Sequence, residues 1–241
     1  MALSCFCMKR TLQQYERTPM PEYDTNKKKI IALDNQLGKL IRDLEQTQNT
    51  WVRLGEQYVS FGTDAQAYAQ EMEGEDVKKM AATLNTTAQE VGSKLKALHA
   101  GEAATPSGKL MALLKEFKKQ VTECKSRSSR MESLAKDYDA RRAVVDDKER
   151  ANTPEEKMTN VRAAMSSAET KFREAEADVL QRQKNILEEA PKAAEATLVC
   201  FAATQADRVR LLQENVSALN RIRDDRLDSV TKALQSVKKT A

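Results

Sequence analysis

The spacing of apolar residues predicts long helices along most of the chain. From Ile30 to Met72 they recur in alternating steps of three and four residues, the spacing of a coiled-coil seam. Further seams run from Val77 to Leu98, from Leu110 to Val145 and from Met158 to Leu234. No stretch alternates apolar and polar residues as a strand does, so we predict an all-α fold. The first seam consists of Ile30, Leu33, Leu37, Leu40, Leu44, Thr47, Trp51, Leu54, Tyr58, Phe61, Ala65, Tyr68 and Met72.

Proline and glycine residues divide these seams into separate helices. Gly74 predicts the end of the first helix, and the cluster from Gly101 to Gly108 predicts a loop or a strong kink. Thr153-Pro154-Glu155-Glu156 has the pattern of a helix start, with an N-cap, a proline at the first helical position and a capping-box glutamate. Pro191 lies within a continuing seam, which predicts a bend in the helix. A last helix of about 80 residues would extend roughly 120 Å, so we expect an elongated molecule.

The composition agrees with long helices and excludes several classes of protein. Charged residues are 32% of the chain, aromatic residues 5%, and there are only 7 Gly and 5 Pro. The net charge of +4 comes from many charges of both signs, which is typical of solvated helices and gives little support to nucleic-acid binding. No apolar run reaches the roughly 18 residues that span a bilayer. The four cysteines are too few for a disulfide scaffold and fit a reduced, cytoplasmic setting.

Residues 1–24 form a segment separate from a predicted helical domain at 25–241. If this segment were helical, Met1, Cys5, Met8, Leu12 and Tyr15 would share one face, until Pro19 and Pro21 end the helix. Three interpretations are open. The segment is an amphipathic helix on a membrane surface, an anchor acylated at Cys5 or Cys7, or a frayed terminus.

Residue patterns for catalysis or metal binding are missing from the sequence. His99 is the single histidine, and it has no neighbouring ligand pattern and no partner for a nucleophile. Paired acids such as Asp146-Asp147 are adjacent in sequence and therefore point in different directions on a helix. We therefore predict a protein that is not an enzyme and that has no catalytic residue, no metal site and no cofactor.

The region from Lys109 to Arg150 is the most basic part of the chain. Between Lys115 and Arg130, six basic residues are accompanied by only two acidic ones, Glu116 and Glu123. Two interpretations are open: a solvated helix face, or a surface for an anionic partner.

Long helices with two-sided seams, a basic middle and a proline within the last helix resemble the Bin/amphiphysin/Rvs (BAR) domain of the amphiphysin and endophilin type. The resemblance runs from about Ile30 to Val237. Lys136-Asp137-Tyr138-Asp139-Ala140-Arg141 is similar to the Asp-Tyr-Asp segment of that family. Leu187-Glu188-Glu189-Ala190-Pro191 is similar to its Glu-Glu-Leu-Pro kink.

This resemblance implies an elongated antiparallel three-helix coiled coil with kinked long helices, which pairs into a crescent-shaped homodimer. The concave surface of such a dimer is basic and lies on curved anionic membranes. The tip of this chain differs from the family, because Asp146, Asp147 and Glu149 dilute its basic charge. By position, the membrane-binding residues would be Lys118, Lys119, Lys125, Arg127 and Arg130 on the second helix, and Lys148, Arg150, Lys157 and Arg162 at or near the tip.

The resemblance therefore implies a cytoplasmic protein, peripherally associated with endocytic or plasma membranes. As a dimer it would sense or generate curvature on anionic phospholipid bilayers, in endocytosis or vesicle trafficking. The alternative is a coiled-coil scaffold or tether that binds a protein partner such as a small GTPase. Independently of the resemblance, the seams are too wide for one three-helix bundle to bury, which predicts a homodimer.

Overall fold

A computed structural model describes residues 17–240, and the regular elements in this part of the chain are all helices. Helix α1 spans Pro21–Gln70 and helix α2 spans Glu75–Ala100. A short 3-10 helix, Glu102–Ala104, leads to helix α3 at Pro106–Arg150, and helix α4 spans Glu155–Thr240. The predicted all-α fold is confirmed. Cys5 and Cys7, with most of the predicted N-terminal segment, lie outside the described residues.

The helices form two compact units. Unit 1 contains the described residues up to Gly38 together with Lys115–Ala194. Unit 2 contains Lys39–Leu114 and the described residues from Glu195 onward. Helices α1, α3 and α4 each contribute to both units, whereas α2 belongs to unit 2 alone.

Side-chain contacts in unit 1 define an antiparallel three-helix bundle. The Tyr23 hydroxyl donates to Glu132 (2.7 Å), and Lys125, earlier on α3, donates to Asp34, later on α1 (2.6 Å). Helices α1 and α3 therefore run in opposite directions. The fully buried core side chains from the three helices include Tyr23, Ile30, Val121, Met131, Phe172 and Val179.

The first helix begins earlier than the apolar seam indicates. Pro21 is its first residue, a position where proline is favoured because the first N–H groups of a helix have no intrahelical acceptor. Tyr23 is 1% exposed and packs in the core of unit 1. The domain boundary that we predicted after residue 24 therefore falls inside helix α1.

The turn between α1 and α2 corrects the predicted end of the first helix. Helix α1 ends at Gln70, and the N–H groups of Glu71 and Met72 donate to carbonyls three residues earlier. Gly74 instead precedes α2, with a φ of 128° that favours glycine. The last predicted seam residue, Met72, thus lies in the turn.

The predicted break between Gly101 and Gly108 is confirmed as a short connection. Helix α2 ends at Ala100 and α3 begins at Pro106. The Thr105 hydroxyl oxygen accepts the N–H of Gly108 (3.1 Å), which is the geometry of an N-cap. Thr105 and Pro106 therefore start α3 as a threonine–proline pair.

The hairpin tip between α3 and α4 is closed by a Schellman motif. The N–H of Thr153 donates to the carbonyl of Lys148 (3.1 Å), and the N–H of Asn152 donates to that of Glu149 (3.0 Å). Asn152 has a φ of 51°, the left-handed conformation that this motif requires. Helix α4 then starts within a residue of the predicted Pro154, whose carbonyl accepts the N–H of Met158 (3.2 Å).

Substitutions at Asn152 are expected to change stability in opposite directions. Glycine adopts the left-handed conformation without steric cost, whereas alanine in that conformation costs about 1–2 kcal/mol. Thermal unfolding followed by circular dichroism should show a higher midpoint for Asn152→Gly than for the wild type, and a lower one for Asn152→Ala. Equal midpoints for the two variants would contradict the Schellman geometry.

Helix α4 continues without interruption through Pro191, as its seam predicts. Proline has no N–H, so the carbonyl of Leu187 lacks its usual donor four residues later. Buried residues lie on both sides, including Ile186 before Pro191 and Thr197 and Cys200 after it, although the seam residues Leu198 and Phe201 are exposed. Packing on both sides of the proline offsets the missing hydrogen bond.

Two contacts place α2 beside α4 in unit 2. Lys94 of α2 donates to the side chain of Asn215 (2.9 Å), and Arg226 of α4 pairs with Asp76 near the start of α2 (3.0 Å). Residues later on α4 thus meet residues earlier on α2, so these two helices are antiparallel.

Candidate functional site

The basic residues predicted to contact a membrane lie in different environments within unit 1. Lys118 and Lys125 face α1, whereas Arg127 and Arg130 lie on the side of α3 that faces α4. Lys119 is exposed on α3, 4.0 Å from Glu116, which lies three residues earlier on the same helix. The remaining residues lie at or near the tip. The sequence therefore identifies a basic region, but the structure divides it between separate faces of α3.

The two lysines that face α1 share one carboxylate. Asp34 is 7% exposed, and it accepts hydrogen bonds from Lys118 and from Lys125, the second at 2.6 Å. The Thr122 hydroxyl also donates to Asp34 (3.3 Å). Burial by itself would raise the pKa of Asp34, but the hydrogen bonds and charges of the two lysines outweigh it and hold the pKa below its usual 3.8. Much of the charge on Lys118 and Lys125 is therefore balanced inside the protein.

Replacing Asp34 by asparagine is expected to destabilise unit 1 in a pH-dependent manner. At neutral pH the loss of the charged acceptor should cost about 1–3 kcal/mol. Since the pKa of Asp34 is lowered on folding, its contribution is complete above the unfolded pKa and is lost as pH falls through the folded value. Urea unfolding across pH should therefore show the difference from wild type shrinking below pH 3.8.

Asp64→Asn provides the matched control for this prediction. Asp64 is an exposed residue of the same helix, and it has no ion pair among the described residues. The control removes the same charge and should leave stability nearly unchanged at each pH. A pH-independent cost for Asp34→Asn would contradict the proposed role of the carboxylate.

Two arginines of α3 and α4 hold one carboxylate between them. Arg127 donates to Asp178 (3.3 Å), and the Nε of Arg182 donates to both oxygens of the same carboxylate (3.0 Å each). Hydrogen bonds to Asp178 raise the pKa of Arg182 above its usual value. Arg130, one turn after Arg127, is exposed and has no ion pair among the described residues. Arg130 is therefore more available to an external anion than Lys118 or Lys125.

Acidic neighbours occupy part of the basic charge at the tip. Arg162 donates to Glu149 (3.0 Å) and to Glu155 (2.6 Å), and Arg150 lies 3.7 Å from Asp147. Lys148 is half-buried, whereas Lys157 is exposed and has no ion pair within the described part of the chain. Ion pairs therefore reduce the number of basic side chains at the tip that are available to an anionic partner.

The residues just before α1 are fixed to α3 by a contact that sequence reasoning missed. The Thr18 hydroxyl donates to Asp139 (2.6 Å), and its backbone N–H donates to the same carboxylate (3.2 Å). Arg142 also pairs with Asp139 (3.3 Å). Asp139 belongs to the Asp-Tyr-Asp segment, and Tyr138 beside it stacks on Phe172. The Asp-Tyr-Asp segment is the sequence feature that could have indicated this contact. Its Asp139 binds the residue Thr18 before α1, and its Tyr138 packs on Phe172 in the core.

Unit 2 exposes a set of large apolar side chains that its own helices do not cover. Among the described residues, all but one of the exposed large apolar side chains belong to this unit, and the exception is Ile31. They occur on α1, α3 and α4 and around the turn between α1 and α2. Such exposure favours an association surface. The set includes Leu40, Phe61, Tyr68, Met72, Val77, Leu113, Leu198, Val199, Phe201, Val209, Leu227 and Val230.

Other chemistry is sparse in residues 17–240. No group of three or more His, Cys, Asp or Glu side chains in this range is arranged to hold a metal ion. None of the described helices is long and apolar enough to cross a membrane. The Cys124 and Cys200 thiols are buried, and burial raises the pKa of the Cys124 thiol.

Comparison with solved structures relates this arrangement to a known fold. The chain is similar to a BAR protein from Galdieria sulphuraria, with a TM-score of 0.63 and 13% sequence identity. The match covers 83% of this chain and 96% of that one. The fold is BAR-like. No protein-family model and no curated protein matches the sequence.

Proposed function

We propose that this chain is a peripheral membrane protein that binds anionic bilayers as a homodimer and senses or generates their curvature, in endocytosis or vesicle trafficking. The observation that carries this proposal is the BAR-like fold, which matches a solved BAR protein over most of both chains. The predicted relation to the amphiphysin and endophilin type belongs to the same proposal.

The exposed cations of unit 1 would provide the attraction to the membrane. Lys119, Arg127, Arg130, Arg150 and Lys157 are exposed at their positions on α3 and α4. A basic residue near an anionic leaflet contributes about 1 kcal/mol. Lys118 and Lys125 would contribute less, because Asp34 already balances part of their charge.

A homodimer would make this weak attraction effective. Two basic arrays in one rigid assembly bind through avidity, and a curved array engages fully only on a membrane of matching curvature. The exposed apolar side chains of unit 2 support dimerisation, because burying them against a second copy would remove them from water.

Co-sedimentation with vesicles tests the membrane proposal. The wild type should sediment with phosphatidylserine-containing vesicles and not with phosphatidylcholine vesicles, and added salt should weaken binding. The triple variant Lys119→Glu, Arg130→Glu and Lys157→Glu should lose most of this binding. These positions are exposed, and the only ion pair that they form among the described residues is that of Lys119 with Glu116 at 4.0 Å, so the fold should be retained.

Charge-matched controls separate the basic residues of unit 1 from net charge. The variant Lys79→Glu, Lys96→Glu and Lys232→Glu changes three exposed lysines of unit 2 and should keep binding vesicles. If the wild type ignores anionic vesicles, the membrane proposal fails and the protein scaffold becomes the better hypothesis. If binding survives the triple variant of unit 1 but disappears when residues 1–16 are removed, the N-terminal segment is the anchor.

A further inference from the structure

Helices α3 and α4 of unit 1 border a basic surface cavity of about 420 Å³. Arg127 and Arg130 line it from α3, while Lys171, Glu174 and Asp178 line it from α4. Residues three, four or seven positions apart share one face of a helix, so these side chains converge on the same groove. The floor of the cavity is apolar and contains Leu134, Ala175 and Val179.

The charges that surround this cavity leave two cations available. Asp178 is held by Arg127 and by Arg182, so two positive groups already offset its charge. Arg130 and Lys171 are exposed, and neither has an ion pair among the described residues. Glu174 is the remaining acidic group in the lining. The cavity therefore has an excess of positive charge concentrated at Arg130 and Lys171.

We propose that this cavity is a discrete site, one per chain, for the phosphomonoester group of a membrane lipid. This inference rests on the proposed function and specifies the headgroup. A phosphomonoester carries a charge of about −1.5 to −2 at neutral pH and three strong acceptor oxygens. The Arg130 guanidinium can bind two of these oxygens at once, and the Lys171 ammonium adds a compact charge on the opposite wall.

The phosphodiester of an ordinary phospholipid fits this pair of cations less well. It carries a single charge and is flanked by two ester groups, so it satisfies one cation but not both. The cavity lies within the range of about 300–1,000 Å³ that is typical of ligand sites, and it leaves room for the alcohol that bears the phosphate. Glu174 opposes binding of any anion, but the positive excess of the lining outweighs it, and the net attraction grows with the charge of the headgroup.

Vesicles of equal surface charge test this site. One set contains phosphatidylserine and the other contains a phosphatidylinositol phosphate, each in phosphatidylcholine. The wild type should bind the second set about tenfold more tightly, as expected for one additional charge-assisted contact. Lys171→Met and Arg130→Met should each remove this preference, and Glu174→Gln should strengthen it. Lys184→Met removes one exposed lysine of the same helix outside the cavity and should preserve the preference.

The results separate the site from the proposed function. Equal binding to the two vesicle sets, or a preference that survives Lys171→Met, overturns the site while leaving anionic membrane binding intact. Failure to bind either set overturns the proposed function. Calorimetry with soluble inositol phosphate provides an independent arm, in which the site predicts one-to-one binding that Lys171→Met weakens. If soluble inositol phosphate binds and neither vesicle set does, a membrane lipid is excluded as the source of the phosphate.

Discussion

Replacing Phe61 and Leu198 with lysine is expected to convert the protein from a dimer to a monomer. Phe61 is 63% exposed and Leu198 is 70% exposed, and both belong to unit 2. Fully burying a side chain of this size contributes about 1.5–3 kcal/mol. A symmetric dimer contains each residue twice, so four apolar groups are lost together. Four charged groups would then have to leave water for the interface to form.

The oligomeric state is measured by size-exclusion chromatography with light scattering over a range of protein concentrations. Circular dichroism should show that the helical content of the double variant is unchanged, because both positions are exposed on their helices. Ile31→Lys is the control: Ile31 is 38% exposed but belongs to unit 1, and this variant should remain a dimer.

A monomeric wild type would contradict this prediction and would leave the apolar side chains of unit 2 for a different protein. It would favour the scaffold hypothesis. A dimer that persists in the double variant would place the interface elsewhere on the chain. If the prediction holds, the double variant should also bind anionic vesicles more weakly, because one basic array replaces two.

The first apolar seam illustrates how far the sequence determines the fold. Three of its thirteen predicted positions, Ile30, Leu37 and Leu44, are fully buried. Others are displaced by one residue, because Leu40 and Phe61 are exposed and the residues that follow them, Ile41 and Gly62, are buried. A sequence pattern gives weight to the largest apolar residues. In α1, large apolar residues such as Leu40 and Phe61 are exposed, whereas small residues such as Gly62 occupy buried positions.

The sequence predicted the positive charge of the candidate site but not which of its basic residues form ion pairs. The sequence places Lys118, Lys125, Arg127 and Arg130 in one basic run, and all of them lie on α3. Which of them are available depends on carboxylates distant in sequence, such as Asp34 on α1. Composition cannot identify these partners, since an isolated aspartate within an apolar seam has no local signature of the lysines it will meet.

The backbone conformation of the tip between α3 and α4 was only partly predictable from the sequence. The threonine–proline pattern at residue 154 correctly located the start of α4, because proline restricts its own backbone. Asn152 adopts a left-handed conformation only because the chain reverses there, and many asparagines in other sequences do not. A local residue type thus permits such a motif, while the packing of the two helices requires it.

The close contact between α1 and α2 gives the second large expected effect. A Cβ atom on Gly92 would clash with the Cγ2 of Val59 and would lie 2.9 Å from the carbonyl oxygen of Gly55. Gly92→Ala is therefore expected to lower the free energy of unfolding by about 1–3 kcal/mol, because the two backbones must separate. This loss should exceed the roughly 1 kcal/mol that alanine gains over glycine in helix propensity.

Gly38→Ala is the matched control. Gly38 of α1 is a helical glycine, as Gly92 of α2 is, but the atoms nearest to its added Cβ belong to a flexible side chain. Its added Cβ would lie 3.2 Å from the Cε of Lys118, a flexible side chain that needs to shift by only a few tenths of an ångström and can keep its bond to Asp34. This variant should be unchanged or more stable by up to about 1 kcal/mol. Urea unfolding followed by circular dichroism should thus give opposite signs for two identical substitutions. If Gly92→Ala also stabilised the protein, helix propensity would outweigh packing at this position, and α1 and α2 would have to lie farther apart than their glycines indicate.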